Sequence, residues 1–181
     1  MASSTTETKR RGIFKTKEER GKWWSLSSVE IGYTAAFGGL GFALRALGIA
    51  ITIGPGLLLE PRDVLMVVGP AFTGPIGALL MGAVAALPSA FMTVQAYAPL
   101  AFVFALIYKI FRHPWYYVGI VLALIFVWAG WWSYWYEWYG WMPFITSFGL
   151  FQVMNAVYIP SSIIVMELIR RYSPVARRIV G

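Results

Sequence analysis

Between Trp23 and Ile169 the chain carries only nine charged residues: Arg45, Arg62, Lys109 and Arg112, with Glu30, Glu60, Asp63, Glu137 and Glu167. A soluble domain draws about 25% of its residues from Asp, Glu, Lys and Arg. A stretch this long and this poor in charge suits lipid as its solvent instead. The expected fold is an all-α integral membrane protein. The remaining charge sits at the ends. Residues 1–22 hold seven Lys/Arg and three Glu, and Arg170, Arg171, Arg177 and Arg178 follow the last apolar run. The net charge of +7 therefore reads as membrane topology and contact with anionic lipid. It does not read as nucleic-acid binding, because no basic stripe interleaved with aromatics runs along a soluble domain. With no Cys, disulfides and thiolate chemistry are excluded. The first 28 residues are hydrophilic, so the first membrane helix is expected to direct insertion itself.

The apolar runs divide the chain into a basic cytoplasmic tail (1–28), mobile over residues 1–22, a membrane domain (29–172) and a second basic cytoplasmic tail (173–181). Trp23 and Trp24 are expected at the headgroups. Ser27 and Glu30 stand at capping-box spacing before the first run, which extends from Val29 to Ile53 and ends at Gly54-Pro55-Gly56. The next run, Val64 to Ala90, is interrupted by Gly69-Pro70 and Gly74-Pro75, and Leu57–Leu59 is a candidate extension of it. One crossing there would place the basic Lys109–His113 loop and the Arg-rich C-terminus outside; two would place both inside, as the positive-inside rule favours. The last runs are Thr93–Phe111, Trp115–Ser133 and Pro143–Tyr172. The count is six transmembrane helices with both termini cytoplasmic, the second and third short and Gly/Pro-broken.

Trp128 to Trp141, reading WAGWWSYWYEWYGW, holds six of the nine Trp and one carboxylate, Glu137. Two readings stand beside each other. Trp and Tyr concentrate at membrane interfaces because each has an apolar body and a polar tip. The same residues stack on a flat or cationic ligand. Trp128, Trp131, Trp135 and Trp138 follow 3-4-3 spacing and form one candidate stripe. Glu137 between the rings suits a cationic or hydrogen-bond-donating ligand, or else pairs at headgroup level with Arg62. On the last run Gln152, Asn155 and Ser162 fall near one face, as interhelical hydrogen bonds or as ligand contacts. Gln95 is a lone amide, read as packing. Arg45 lies deep in the first run and requires a partner acid. Glu60, Arg62 and Asp63 either gate a site or are solvated. Ala35, Gly39 and Ala43 form a small-residue row on the first run, open to internal packing or to docking by another subunit. A second row, Gly74, Ala78, Gly82, Ala86 and Ala90, is read as internal packing.

No catalytic set emerges. There is one His, no Ser/His/Asp combination, no metal-ligand cluster and no phosphate-binding GxxxxGK[ST] loop. No cofactor, metal or enzymatic activity is expected, and any ATP hydrolysis must lie on another chain.

Gly69-Pro70…Gly74-Pro75-Ile76-Gly77-Ala78-Leu79-Leu80-Met81-Gly82, the Ala35-x-x-x-Gly39-x-x-x-Ala43 row, and Phe151-Gln152…Asn155 before Arg170-Arg171 together resemble the substrate-binding S component of energy-coupling factor (ECF) vitamin transporters over about residues 29–172. That resemblance implies a plasma-membrane protein that captures a vitamin or vitamin precursor from outside. It further implies docking, through Ala35, Gly39 and Ala43, onto a transmembrane coupling subunit powered by two ATPase subunits. In thiamine-binding members aromatic residues, a Glu and an Asn hold the ligand, and Trp135, Glu137, Trp138 and Asn155 are the corresponding candidates. Trp131 and Gln152 join them from the spacing above. The alternative is a ligand-free accessory subunit of a larger membrane complex.

Overall fold

The computed structural model describes residues 12–24, 26–54, 57–89, 91–174 and 177. Pro55-Gly56, Ala90 at the end of the second small-residue row, and Arg178 lie outside them. In chain order the elements are α1 (Lys17–Arg20), α2 (Ser28–Ala46), β1 (Ile51–Gly54), β2 (Leu57–Leu59), α3 (Pro61–Val68), α4 (Pro70–Ala86), α5 (Phe91–Ile110), α6 (Trp115–Leu122), a π-helical segment (Ala123–Trp128), α7 (Ala129–Trp138) and α8 (Phe144–Tyr172).

The expected capping box starts α2. The Ser27 hydroxyl accepts from the Glu30 N–H, and the Glu30 carboxylate accepts from the Ser27 N–H. The helix stops earlier than expected, at Ala46 rather than Ile53, because Gly48 adopts φ 67°, a left-handed value that side-chain-bearing residues rarely take. The β-branched residues beyond it suit extended backbone. Leu57–Leu59 does not lengthen the next helix. It pairs antiparallel with Ile51–Gly54, with Ile51 opposite Leu59 and Thr52 opposite Leu58.

Among the described residues three helices suit a membrane crossing by length and composition: Thr93–Ile110, Trp115–Trp138 and Phe144–Tyr172. Pro61–Val68 and Pro70–Ala86, bent by 104° at their junction, make a fourth if counted as one span. Six spans were expected. However, α2 carries Glu30, Arg45 and four glycines, and the eight residues of α3 extend only about 12 Å. The surface is apolar around the long helices: Phe126, Val153 and Ile164 are all more than half exposed. Large apolar side chains exposed on long helices are what lipid covers. The buried core includes Met66, Phe72, Met81, Phe104, Tyr116 and Ile120.

Helix α4 packs chiefly against α2 and α5, and its small residues permit it. A Cβ added at Gly82 would lie 2.7 Å from the Tyr97 carbonyl oxygen of α5, whereas one added at Gly39 on α2 meets nothing within 4 Å. Gly82→Val is therefore expected to destabilise the protein by about 1–3 kcal/mol through overpacking against backbone. Gly39→Leu is expected to leave the melting temperature of the detergent-solubilised protein unchanged.

Part of the tail expected to be mobile is docked. Phe14 forms a β-bridge with Phe111, the Lys15 N–H donates to the Ile110 carbonyl (2.8 Å), and the Arg112 N–H donates to the Ile13 carbonyl (3.0 Å). The Arg112 guanidinium donates to the Glu19 carboxylate at 2.5 Å. That bond, with a second from the Thr16 N–H, holds the Glu19 carboxyl at about 2. A depressed carboxyl stabilises its folded contact above its unfolded value, and that contribution is lost as pH falls toward the folded value. Amide hydrogen exchange in residues 12–24 is accordingly expected to accelerate as pH drops from about 4.5 toward 2 relative to intrinsic rates. Glu19→Gln should flatten that response.

Candidate functional site

The end of α2, the start of α3, the end of α4 and the start of α5 meet beside α7 and α8. Together they enclose a cavity of about 230 Å³, lined by Arg45, Leu58, Glu60, Arg62, Asp63, Ser89, Thr93, Tyr97, Trp128, Trp132, Tyr136, Trp141 and Met154. One wall is ionic and the other aromatic.

The ionic wall follows from Glu60-Pro61-Arg62-Asp63. Pro61 opens α3, a position where its missing N–H costs nothing. This placement puts two acids and a guanidinium within the first turn. Glu60, Arg62 and Asp63 are 5%, 2% and 3% exposed, so their charges must be compensated internally. Glu60 receives Arg45 at 2.7 Å and Arg62 at 2.6 Å, which supplies the partner acid that Arg45 required. Arg62 also donates to the Ala85 carbonyl (2.9 Å) and the Ser89 hydroxyl (3.2 Å), and Arg45 donates to the same hydroxyl at 3.1 Å. The Arg62 guanidinium lies 4.6 Å from the Tyr97 ring centre, close enough for a cation–π contact. The Tyr97 and Tyr158 hydroxyls donate to the two oxygens of Asp63, and Tyr158 accepts from the Glu60 N–H at 3.2 Å. Two cations and two acids balance, so the cluster has no net charge to offer a lone ion.

The aromatic wall comes from one side of the Trp/Tyr run. Trp128, Trp132 and Tyr136 recur every fourth residue and face inward with Ala129 and Ser133, which are fully buried. Tyr97 meets Trp128 and Trp132 edge-on at 5.8 and 5.6 Å. Tyr136 meets Trp141 edge-on at 5.2 Å. The indole N–H groups of Trp128 and Trp132 are buried, with no hydrogen-bond partner among the described residues. A buried donor left unpaired costs about 1–3 kcal/mol.

The structure divides the sequence candidates. Trp131, Glu137 and Trp138 are exposed and Trp135 partly so; none of the four lines this cavity. Glu137 does not pair with Arg62, whose acid is Glu60. Gln95 is exposed. Gln152 and Asn155 serve the backbone next door: Gln152 donates to the Ile125 carbonyl and Asn155 to the Leu124 carbonyl, each at 2.8 Å. Both carbonyls belong to the π-helical segment. A widened turn disturbs the normal helical ladder, and such segments recur at functional sites. Here it ends on Trp128. Reading the run alone missed Trp128–Trp132–Tyr136 as the inward stripe. The available signal was Ala129 and Ser133, small residues four apart that mark the close-packed side of the helix.

Among the described residues no group of three or more His, Asp or Glu is placed to hold a metal ion. Compared with known proteins, the chain matches no family model, no curated protein and no solved structure. Its function has to be argued from the site itself.

Proposed function

We propose that this chain is a multi-pass plasma-membrane binding subunit that captures a small, flat heteroaromatic solute, such as a vitamin or its precursor, in the cavity between Arg62 and the Trp128–Trp132 wall. The observation that carries this reading is the pairing of a charge-balanced, hydrogen-bonding wall with an aromatic one around about 230 Å³. For scale, an apolar cavity of about 150 Å³ accepts benzene. A neutral or zwitterionic ring fits a balanced quartet better than a simple cation does. A ring nitrogen or carbonyl lodged by the indoles would pair their buried N–H groups.

In this reading α2, α3 and α4 each count as a crossing beside the three longer helices, α3 as a short one within a broken span, which makes six with both termini cytoplasmic. The described basic residues Lys15, Lys17, Arg20, Lys22, Lys109, Arg112, Arg170 and Arg171 then lie on the cytoplasmic side, as positive-inside requires. The cavity opens on the opposite side, toward the source of the solute. The chain has no catalytic role here. Release into the cell is driven by ATP hydrolysis on two separate ATPase subunits, through a transmembrane coupling subunit docked on Ala35, Gly39 and Ala43. Ala35 and Gly39 are exposed, which leaves that face available. Because Gly39→Leu has room in the isolated chain, its expected effect is confined to complex formation.

Intrinsic Trp fluorescence, titrated with a panel of heteroaromatic vitamins and precursors, tests the proposal, with mass spectrometry of denatured protein as a search for co-purified ligand. Saturable quenching by one compound supports it. No response together with no extracted ligand overturns it, and favours the accessory-subunit reading.

A further inference from the structure

The docked residues 12–24 form a strap across the end of the helices opposite the aromatic cavity. Beneath the strap lies a larger cavity of about 580 Å³, within the range of about 300–1,000 Å³ common for ligand sites. Four cations line it: Lys15, Arg20 and Lys22 from the strap, and Lys109 from the end of α5. Two carboxylates also line it, but each is committed elsewhere. Glu19 holds Arg112, and Glu30 caps α2 through the Ser27 N–H at 2.7 Å. Among the described residues none of the four cations has an ion-pair partner. Lys109 donates to the Lys22 carbonyl at 2.6 Å, and Arg20 to the Lys15 carbonyl at 2.9 Å. These bonds fix the positions of both cations without neutralising them. Burial pushes the Lys15 ammonium below the usual lysine range, against the nearby Glu19 carboxylate and with help from the Lys109 and Arg112 charges.

The remaining walls and surroundings set the depth. Val29, Phe72 and Ala105 make part of the lining apolar. Trp24 is 73% exposed and stacks on Phe102 at 6.3 Å, and Lys109 lies 5.7 Å from the Trp23 ring centre. Exposed Trp beside lysines is the arrangement found at the headgroup level of a bilayer.

We infer that the strap and the end of α5 form a binding site for a phosphate group, presented by an anionic lipid headgroup or by free phosphate. The four cations would hold the anion, and Val29 and Phe72 would meet the apolar part of a lipid. The site is separate from the aromatic cavity and does not depend on the proposed ligand.

The test uses the full chain, delipidated in detergent. Native mass spectrometry measures binding of phosphatidylglycerol and phosphatidylcholine, and competition by inorganic phosphate identifies the source. Phosphatidylglycerol is expected to bind more tightly than phosphatidylcholine. Lys15→Gln/Arg20→Gln/Lys22→Gln is expected to weaken it about 100-fold, at roughly one surface-lysine contribution per residue. Lys22→Gln alone, which keeps the carbonyl that the strap uses, should weaken it by a smaller factor without loss of fold. Lys17→Gln/Arg171→Gln/Arg177→Gln removes equal charge from exposed residues that do not line the cavity, and should change binding by less than about threefold. Displacement by millimolar phosphate would assign the site to free phosphate; resistance to it would assign the lipid headgroup. Equal losses from the two triple variants, or no preference for phosphatidylglycerol combined with no binding of phosphate, would overturn the inference.

Discussion

Arg62→Leu is expected to destabilise the protein by about 3–5 kcal/mol, read as a fall in the thermal unfolding midpoint in detergent. The cost arises from what remains behind. Glu60 is 5% exposed and Asp63 3%, and removal of the guanidinium leaves both acids buried with only Arg45 as a cation in the cluster. The Ala85 carbonyl and the Ser89 hydroxyl also lose their Arg62 donor. Adding Glu60→Leu to the same chain should recover much of the loss, because the uncompensated charge disappears and the freed Arg45, about 29% exposed at its side chain, can hydrate. Non-additivity of this kind is the signature of direct coupling. If the double variant is as unstable as the sum of the two single variants, the ionic wall is not the coupled unit described. Ligand binding should be lost in both the single and the double variant, since neither offers the charged edge of the cavity.

The second large effect falls on binding rather than stability. Gln152→Leu/Asn155→Leu removes the two amide donors that serve Leu124 and Ile125. An ordinary α-turn would restore those carbonyls to the helical ladder at the cost of the extra residue. Each residue of an α-helix turns by about 100°, so closing the π segment would rotate Trp128 away from Tyr97 and Tyr158. Ligand affinity is expected to fall by at least about tenfold. The unfolding midpoint should fall only slightly, because hydrogen bonds between membrane helices contribute about 1 kcal/mol or less apiece. A large loss of stability with affinity retained would assign the two amides to packing alone. Changing only Gln152, which leaves Asn155 donating to Leu124, should give an intermediate result.

Several features were legible from residues alone. The scarcity of charge pointed to helices in lipid. Ser27 and Glu30 located the start of α2, and the Arg45 charge demanded an acid that proved to be Glu60. Others were not legible, for specific physical reasons. The end of α2 depends on the conformation of Gly48, which a run of apolar residues does not reveal. The hairpin depends on Leu57–Leu59 finding Ile51–Gly54, a pairing that competes with helix in any short apolar run. The inward side of the Trp/Tyr run was ambiguous because the expected stripe Trp128–Trp131–Trp135–Trp138 and one through Trp128–Trp132–Tyr136 both follow helical spacing from the same residue. In the structure they diverge after Trp128: Trp138 is 69% exposed and Tyr136 7%. Gln152 and Asn155 were recognised as polar groups needing partners. That those partners would be backbone carbonyls followed from the π segment, which has no sequence signature of its own.

The central claim concerns which side of the aromatic run holds the solute, and one comparison addresses it directly. A compound that quenches the wild-type protein is titrated against two double variants, Trp132→Leu/Tyr136→Leu and Trp135→Ala/Glu137→Ala, with the unfolding midpoint of each recorded. The cavity assignment predicts that the first loses at least about 30-fold in affinity, from two aromatic walls together. The second should remain within about threefold of wild type. Loss of binding in the Trp135/Glu137 variant, with binding retained in the Trp132/Tyr136 variant, would place the solute on the outer face and contradict the account.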